Sequence, residues 1–196
     1  NFSLQERGTV GTLFGTMEHG GSKGNAGILT IEVASGATIN GGIYDGSNIG
    51  IAGAYKSASA DQFHVIVTDG QINAQHSIIG GAIAGAGKIG TVTIDINGGN
   101  LAGSVYGGSF GDNANSASVG EASITVRGGT IGGNIVAGGT HGPIGSASVI
   151  ISGTDASEQG ISQWASAFAE SGLNVSKTVG DLAGPCAFAI LMGTSR

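Results

Sequence analysis

The chain has little proline, cysteine, charge or aromatic content, and each shortage excludes a class of protein. Its 196 residues include 2 Pro and 1 Cys, and charged residues make up only 10% and aromatic residues 5%. The near absence of Pro excludes collagen, and a single Cys excludes both an internal disulfide framework and a Cys-based zinc site. No apolar run approaches the roughly 20 residues of a membrane-spanning helix, so we expect no membrane insertion by this segment.

The few charged residues give a formal net charge of −6, and no two of the 7 basic residues are adjacent. Nucleic acid and anionic membranes are bound by clustered Lys and Arg, so the charge pattern argues against both partners. The four His residues are widely separated, and none pairs with another at metal-ligand spacing. We therefore expect no metal site and no cofactor. Since the chain opens with Asn1 rather than Met, we also expect a processed product or an excised fragment.

Glycine is the residue in excess, at 40 of 196 positions. Disorder is disfavoured because 40% of the residues are hydrophobic and the mean hydropathy is +0.23. A helical bundle is disfavoured because each Gly costs a helix interior about 1 kcal/mol. The composition therefore indicates an all-β protein with many tight turns.

An internal repeat predicts the architecture. Residues 91–108 and 122–139 share one order: an alternating strand, a Gly turn, one apolar residue, a second Gly turn and a short apolar pair before Gly-Gly. Weaker or partial copies occupy the rest of 8–153. Three short strands separated by Gly bends make one triangular coil, and stacked coils form a parallel β-helix of about five coils. A β-propeller fits less well because each blade needs four strands.

Alternation along the first strand of each copy predicts an inward and an outward face. The inward rows are β-branched: Ile31, Val65, Ile94, Ile124 and Val149, then Val33, Val67, Ile96, Val126 and Ile151. The outward rows are small, hydroxylated or charged: Thr30, His64, Thr93, Ser123 and Ser148, then Glu32, Ile66, Asp95, Thr125 and Ile150. From this flat surface we select six candidate binding residues: Thr93, Asp95, Ser123, Thr125, Arg127 and Ser148.

Two finer expectations concern the rest of each coil. The third strand places Val105 and Val136 as equivalent inward residues. Copies differ in length, and we expect the differences in loops at Ser47–Gln62, Ala82–Gly90, Ser109–Glu121 and Thr140–Ser146.

The pattern stops near Thr154, which divides the chain into repeats at 1–153 and a cap at 154–196. Asp155 and Glu158 resemble a capping pair at a helix start. An apolar stripe from Ile161 through Trp164 to Phe168 predicts a helix that ends near Gly172 and covers the C-terminal end of the solenoid. The apolar stretch from Leu173 to Met192 favours one or two further strands.

Asp95 and Arg127, on adjacent coils, make the best candidate for a catalytic pair, with Asp69 one coil away. Enzymes that cleave polysaccharides use such carboxylates in general acid–base chemistry. An exposed ion pair is the simpler interpretation and the one we favour, so we assign no catalytic residue.

The block Val92-Thr-Ile-Asp-Ile-Asn-Gly-Gly99 followed by Ser104-Val-Tyr-Gly-Gly108, with its echo at 124–139, resembles the Gly-rich repeats of bacterial autotransporter passenger domains and related surface adhesins. The resemblance covers about 29–153 and rests on the texture of the repeat. It implies a right-handed β-helix, a location that is extracellular or at the bacterial cell surface, and adhesion or self-association. No catalytic residue of the family maps onto this chain.

The leading hypothesis is a non-enzymatic extracellular structural or adhesive module. Its partners would be a glycan or matrix polymer, or copies of itself. A polysaccharide lyase or glycoside hydrolase of the β-helix type is the main alternative. An ice-binding protein is a third, because Thr91-x-Thr93 and Ser123-x-Thr125 place hydroxyls in register on a flat face. The array is interrupted at four positions: Glu32, Ile66, Asp95 and Arg127.

Overall fold

The structure, a computed structural model, describes residues 2–4, 8–111, 117–151 and 188–190. Within these ranges every regular element is a β-strand. The strands pair in parallel, with two antiparallel exceptions, and wind into a β-solenoid of about five turns. The fold predicted from the repeat is confirmed.

Three sheets form the sides of the solenoid. Sheet A consists, in spatial order, of β1 (Phe2–Leu4), β4 (Asn25–Val33), β8 (Ser59–Val67), β11 (Lys88–Ile96), β14 (Ser118–Val126), β17 (Ile144–Ile151) and β18 (Phe188–Ile190). Sheet B consists of β2 (Thr9–Val10), β5 (Thr38–Ile39), β9 (Gln71–Ile72), β12 (Asn100–Leu101) and β15 (Thr130–Ile131). Sheet C consists of β3 (Leu13–Met17), β7 (Ser47–Tyr55), β10 (His76–Ile83), β13 (Ser104–Tyr106) and β16 (Ile135–Val136), with β6 (Gly42–Tyr44) antiparallel to the start of β7.

The solenoid core is built from rows of apolar side chains in register. Both predicted inward rows of sheet A are paired strand to strand from β4 to β17, and every member is buried. Sheet B adds Val10, Ile39, Ile72, Leu101 and Ile131, and sheet C adds Leu13, Ile51, Ile78, Val105 and Ile135. Branched aliphatic side chains suit this narrow interior because they pack well on a pleated surface.

Two finer predictions are wrong. Ile135, not Val136, is the partner of Val105, and Val136 pairs with Tyr106 on the other face. A register error of one residue moves a side chain to the opposite face of a strand. The segment Ser47–Gln62 is not a loop, because it contains all of β7 and the start of β8. The insertion in this copy is instead the short hairpin of β6 and β7.

Glycine is required at two kinds of position. Where sheet A turns into sheet B, four successive coils have a glycine with positive φ: Gly36, Gly70, Gly99 and Gly129. On sheet C, the backbones of successive coils approach too closely for a side chain. A Cβ on Gly53 would collide with the carbonyl oxygen of Gly80, and one on Gly80 with that of Gly107.

At the C-terminal end of sheet A, β18 pairs antiparallel with β17, so that Ile151 lies opposite Phe188. This strand falls within the stretch 173–192. The predicted helix at 154–172, with Trp164 and Phe168, lies outside the described residues.

Candidate binding surface

The outer side of sheet A presents the two predicted outward rows as a flat surface, which we call the hydroxyl face. The first row pairs Thr30, His64, Thr93, Ser123 and Ser148 across five strands. The second pairs Glu32, Ile66, Asp95, Thr125 and Ile150. All ten residues are half-buried or exposed, as alternation along the strands predicts.

The six candidate residues lie together on this face. Thr93, Ser123 and Ser148 occupy one row on β11, β14 and β17, and the Ser148 hydroxyl donates to Ser123 Oγ at 3.4 Å. Asp95 and Thr125 are direct partners in the next row. Arg127 follows β14 directly, and its side chain is 53% exposed. The set is therefore one continuous patch across three strands.

Asp95 is the centre of a polar network. Its Oδ1 accepts from Arg127 Nη1 at 3.1 Å, and its Oδ2 lies 2.9 Å from His64 Nε2. Arg127 Nη1 also donates to Asn97 Oδ1 at 3.2 Å. The network thus joins β8, β11 and β14 through a carboxylate whose two oxygens are both engaged.

The environment of Asp95 favours the charged carboxylate. Partial burial by itself would raise its pKa, but the hydrogen bonds and charges of His64 and Arg127 outweigh burial and hold the pKa below its ordinary value. A general acid at neutral pH needs the opposite shift. This carboxylate is therefore suited to holding its neighbours in place rather than to donating a proton.

The third member of the predicted catalytic constellation lies elsewhere. Asp69 lines a shallow groove at the corner between sheets A and B, together with Gln71 and Asn100. The partners of Asp95 are His64 and Arg127. Among the described residues, no group of three His, Cys, Asp or Glu side chains is arranged to hold a metal ion.

Two features of the surface were not predicted. His64 was placed in the hydroxyl row, opposite Thr93, but its imidazole reaches diagonally to Asp95. Long side chains on neighbouring strands can contact diagonal as well as direct neighbours, and this geometry predicts the His64–Asp95 contact. The outer side of sheet C holds most of the described aromatic rings, and the repeat pattern gives no indication of this cluster.

Comparison with known proteins yields no match to a family model, to a curated protein or to a solved structure. In the part of the chain that the structure describes, no helix has the length and apolar character needed to cross a membrane.

Proposed function

We propose that this chain is a non-enzymatic structural or adhesive module that acts through the hydroxyl face. The observation that supports this most is the register of that face, which repeats a hydroxyl-rich row at the strand spacing of about 4.8 Å over five strands. A single hydroxyl hydrogen bond contributes only about 0.5–1.5 kcal/mol in water. Several rigidly spaced contacts to one polymer act together and gain avidity without a deep pocket.

The partners of such a face are a glycan or matrix polymer, or another copy of the chain. The resemblance of residues 29–153 to autotransporter passenger repeats supports an extracellular or cell-surface location for either activity. Adhesion and self-association use the same property, a long face of repeated small polar groups.

A polysaccharide-cleaving enzyme is the alternative, and the state of Asp95 weighs against it. Its lowered pKa disfavours the role of general acid, and His64 and Arg127 engage both oxygens that a nucleophile or general base would use. Ice binding is less favoured because Glu32, Ile66 and Asp95 interrupt the hydroxyl rows.

The proposal is tested by charging the face at several positions together. In the variant Thr93→Asp/Ser123→Asp/Ser148→Asp, we expect loss of self-association and of the matrix-polymer binding that the hydroxyl face provides, measured by analytical ultracentrifugation and surface plasmon resonance. The matched control, Thr9→Asp/Asn100→Asp/Thr130→Asp, adds the same charge to exposed positions on sheet B and should behave as wild type. Equal activity of the two variants would contradict the proposal.

A further inference from the structure

A second apolar cluster lies on the outer side of sheet C, separate from the solenoid core. Its central row is paired strand to strand: Phe14, Ala52, Ile79, Tyr106 and Val136. The residue before each of these belongs to the solenoid core. Since side chains alternate along a strand, the row points outward.

Aromatic rings gather over this row in two groups. In the first, the Phe14 ring lies 4.8 Å from Tyr44 and 5.2 Å from Tyr55, measured between ring centres. In the second, the Phe110 ring lies 5.1 Å from Tyr106 and 4.1 Å from the imidazole of His76. The members of both groups form what we call the aromatic trough: Phe14, Tyr44, Tyr55, His76, Tyr106 and Phe110.

The surface that carries these rings is concave. Phe110 forms a β-bridge with Ile83 at the end of β10, yet its ring stacks on His76 at the beginning of the same strand. Seven residues of straight strand span about 23 Å, more than two side chains can bridge. Strand β10 is therefore bent back, at the point where its register with β7 shifts between Ile79 and Ala82. Because the rings meet on the outer side, that side is the inside of the bend.

The strands that form the floor of the trough carry no charged residue. The five strands β3, β7, β10, β13 and β16 contain no Asp, Glu, Lys or Arg. The hydroxyl face, in contrast, carries Glu32 and Asp95. Charged side chains at the trough have opposite signs: Lys56 lies 5.5 Å over the Tyr55 ring, and Asp45 stands in the turn after Tyr44.

We propose that the aromatic trough is a binding site for an uncharged, linear glycan that lies parallel to the solenoid axis. The C–H face of a pyranose ring stacks on an aromatic ring, while its hydroxyls bond to polar groups at the ring edges. Phe14, Tyr44, Tyr55 and Phe110 are only partly buried, and tyrosines offer both a ring and a hydroxyl. Phe14 on β3 and Tyr106 on β13 are three strands apart, about 14 Å along the axis, so an extended chain meets successive rings.

A buried polar atom in the trough also lacks a partner. His76 is 8% exposed, and its Nδ1 makes no hydrogen bond among the described residues. Buried polar groups are nearly always paired, and a ligand hydroxyl would supply the missing bond.

Shape and charge select this ligand over two others. A second copy that docked with its own trough would present the same concave face, and two concave faces cannot fill one another. An acidic polymer would be repelled by a protein of net charge −6, and the strands of the trough contain no Lys or Arg to attract it. The trough and the hydroxyl face lie on different sheets, so either proposal can be wrong while the other holds.

The chain provides its own reporters for the test, because its 3 tyrosines all lie in the trough. The full-length protein is labelled with 3-fluorotyrosine, its three resonances are assigned by single Tyr→Phe substitutions, and cellohexaose, laminarihexaose and chitohexaose are titrated in turn. We expect at least one of these neutral sugars to shift Tyr44 and Tyr55 in a saturable way. Oligogalacturonate, the acidic comparison, should leave them unshifted.

Substitutions distinguish sugar binding at the trough from binding elsewhere on the surface. Tyr44→Ala/Tyr55→Ala should weaken sugar binding about tenfold or more, as expected for the loss of stacking contacts. Tyr55→Phe keeps the ring and should retain most of the affinity even if the double variant is poorly folded. The control Ile28→Ala removes a side chain that is 66% exposed on sheet A and should change nothing.

Three results would overturn the inference. The first is that none of the three neutral sugars shifts a tyrosine resonance. The second is that a folded Tyr44→Ala/Tyr55→Ala variant binds sugar with unchanged affinity. The third is that the tyrosine resonances shift with protein concentration in the absence of sugar, which would identify a second copy as the occupant. Sugar affinity should be unchanged in Thr93→Asp/Ser123→Asp/Ser148→Asp, so the outcome does not depend on the proposed role of the hydroxyl face.

Discussion

His64 and Asp95 form a diagonal pair across sheet A. The backbone register places His64 opposite Thr93, yet His64 Nε2 lies 2.9 Å from Asp95 Oδ2. Because the pKa of Asp95 is lowered and its carboxylate only accepts, Nε2 of His64 is the donor. Arg127 completes the group from the other side, so one carboxylate aligns cations or donors from two neighbouring coils.

Replacing Asp95 with Asn tests what this group does. The pair is partly exposed, so we expect the free energy of unfolding to fall by no more than about 1 kcal/mol, measured by urea denaturation. Since the folded pKa of Asp95 is depressed, its contribution exists at neutral pH and is lost as pH falls below the ordinary value of 3.8. Binding through the hydroxyl face should decrease only modestly. Complete loss of a measured activity in a folded Asp95→Asn protein would instead support the polysaccharide-cleaving alternative.

Acid should weaken the fold through His76. Burial lowers the pKa of this imidazole from 6.5, so the unfolded chain binds the proton first as pH falls. Stability is therefore full above pH 6.5 and decreases below it, with a slope of at most about 1.4 kcal/mol per pH unit until the lowered folded pKa is reached. Urea denaturation at pH 7.5, 6.5 and 5.5 measures this slope.

Substitution identifies His76 as the source of the slope. His76→Leu should make stability flatter between pH 7.5 and 5.5, whereas His19→Leu, at an exposed position, should leave the slope as in wild type. An unchanged slope in His76→Leu would assign the acid sensitivity to other groups.

The close stacking of coils predicts a sharp difference between two glycines. In Gly53→Ala the new methyl group meets the Gly80 carbonyl, and we expect destabilisation of about 1–3 kcal/mol or more. Gly27→Ala, also within a strand, places its methyl group 4.0 Å from Asp61 Oδ2 and should be neutral or slightly stabilising. Thermal unfolding checks both, since each kcal/mol shifts Tm by about 2–4 °C in a chain of this size. Equal melting of the two variants would show that the sheet C backbone relaxes around the methyl group.

The sequence allowed the first sheet to be predicted residue by residue. Rows such as Ile31, Val65, Ile94, Ile124 and Val149 alternate with a mainly polar outward row, which Ile66 and Ile150 interrupt, and this period identifies both the strand and its buried face. The Asp95–Arg127 contact followed from the same rows. The contact of Asp95 with His64 does not follow from these rows, because it joins diagonal rather than direct neighbours.

Sheet C could not be predicted in the same way. Strand β7 reads Ser-Asn-Ile-Gly-Ile-Ala-Gly-Ala-Tyr, and it is buried on both sides from Ile49 to Ala54, so apolar and polar residues do not alternate. Strands buried on both faces lose the period of two that marks a half-buried strand. The aromatic trough does not follow from the sequence either, because its rings lie on five different strands, β3, β6, β7, β10 and β13, and in the segment after β13, without a repeated spacing.

The similar sequence separation of paired residues on neighbouring coils has a consequence for how the chain folds. Ile94 lies 29 residues after its partner Val65 and 30 before its partner Ile124. The entropy of loop closure grows slowly with loop length, so docking a coil on either side costs nearly the same. Folding can therefore nucleate in any adjacent pair of coils and spread in both directions. Amide hydrogen exchange should then form a gradient along the axis, slowest in β8 and β11 and faster toward β1.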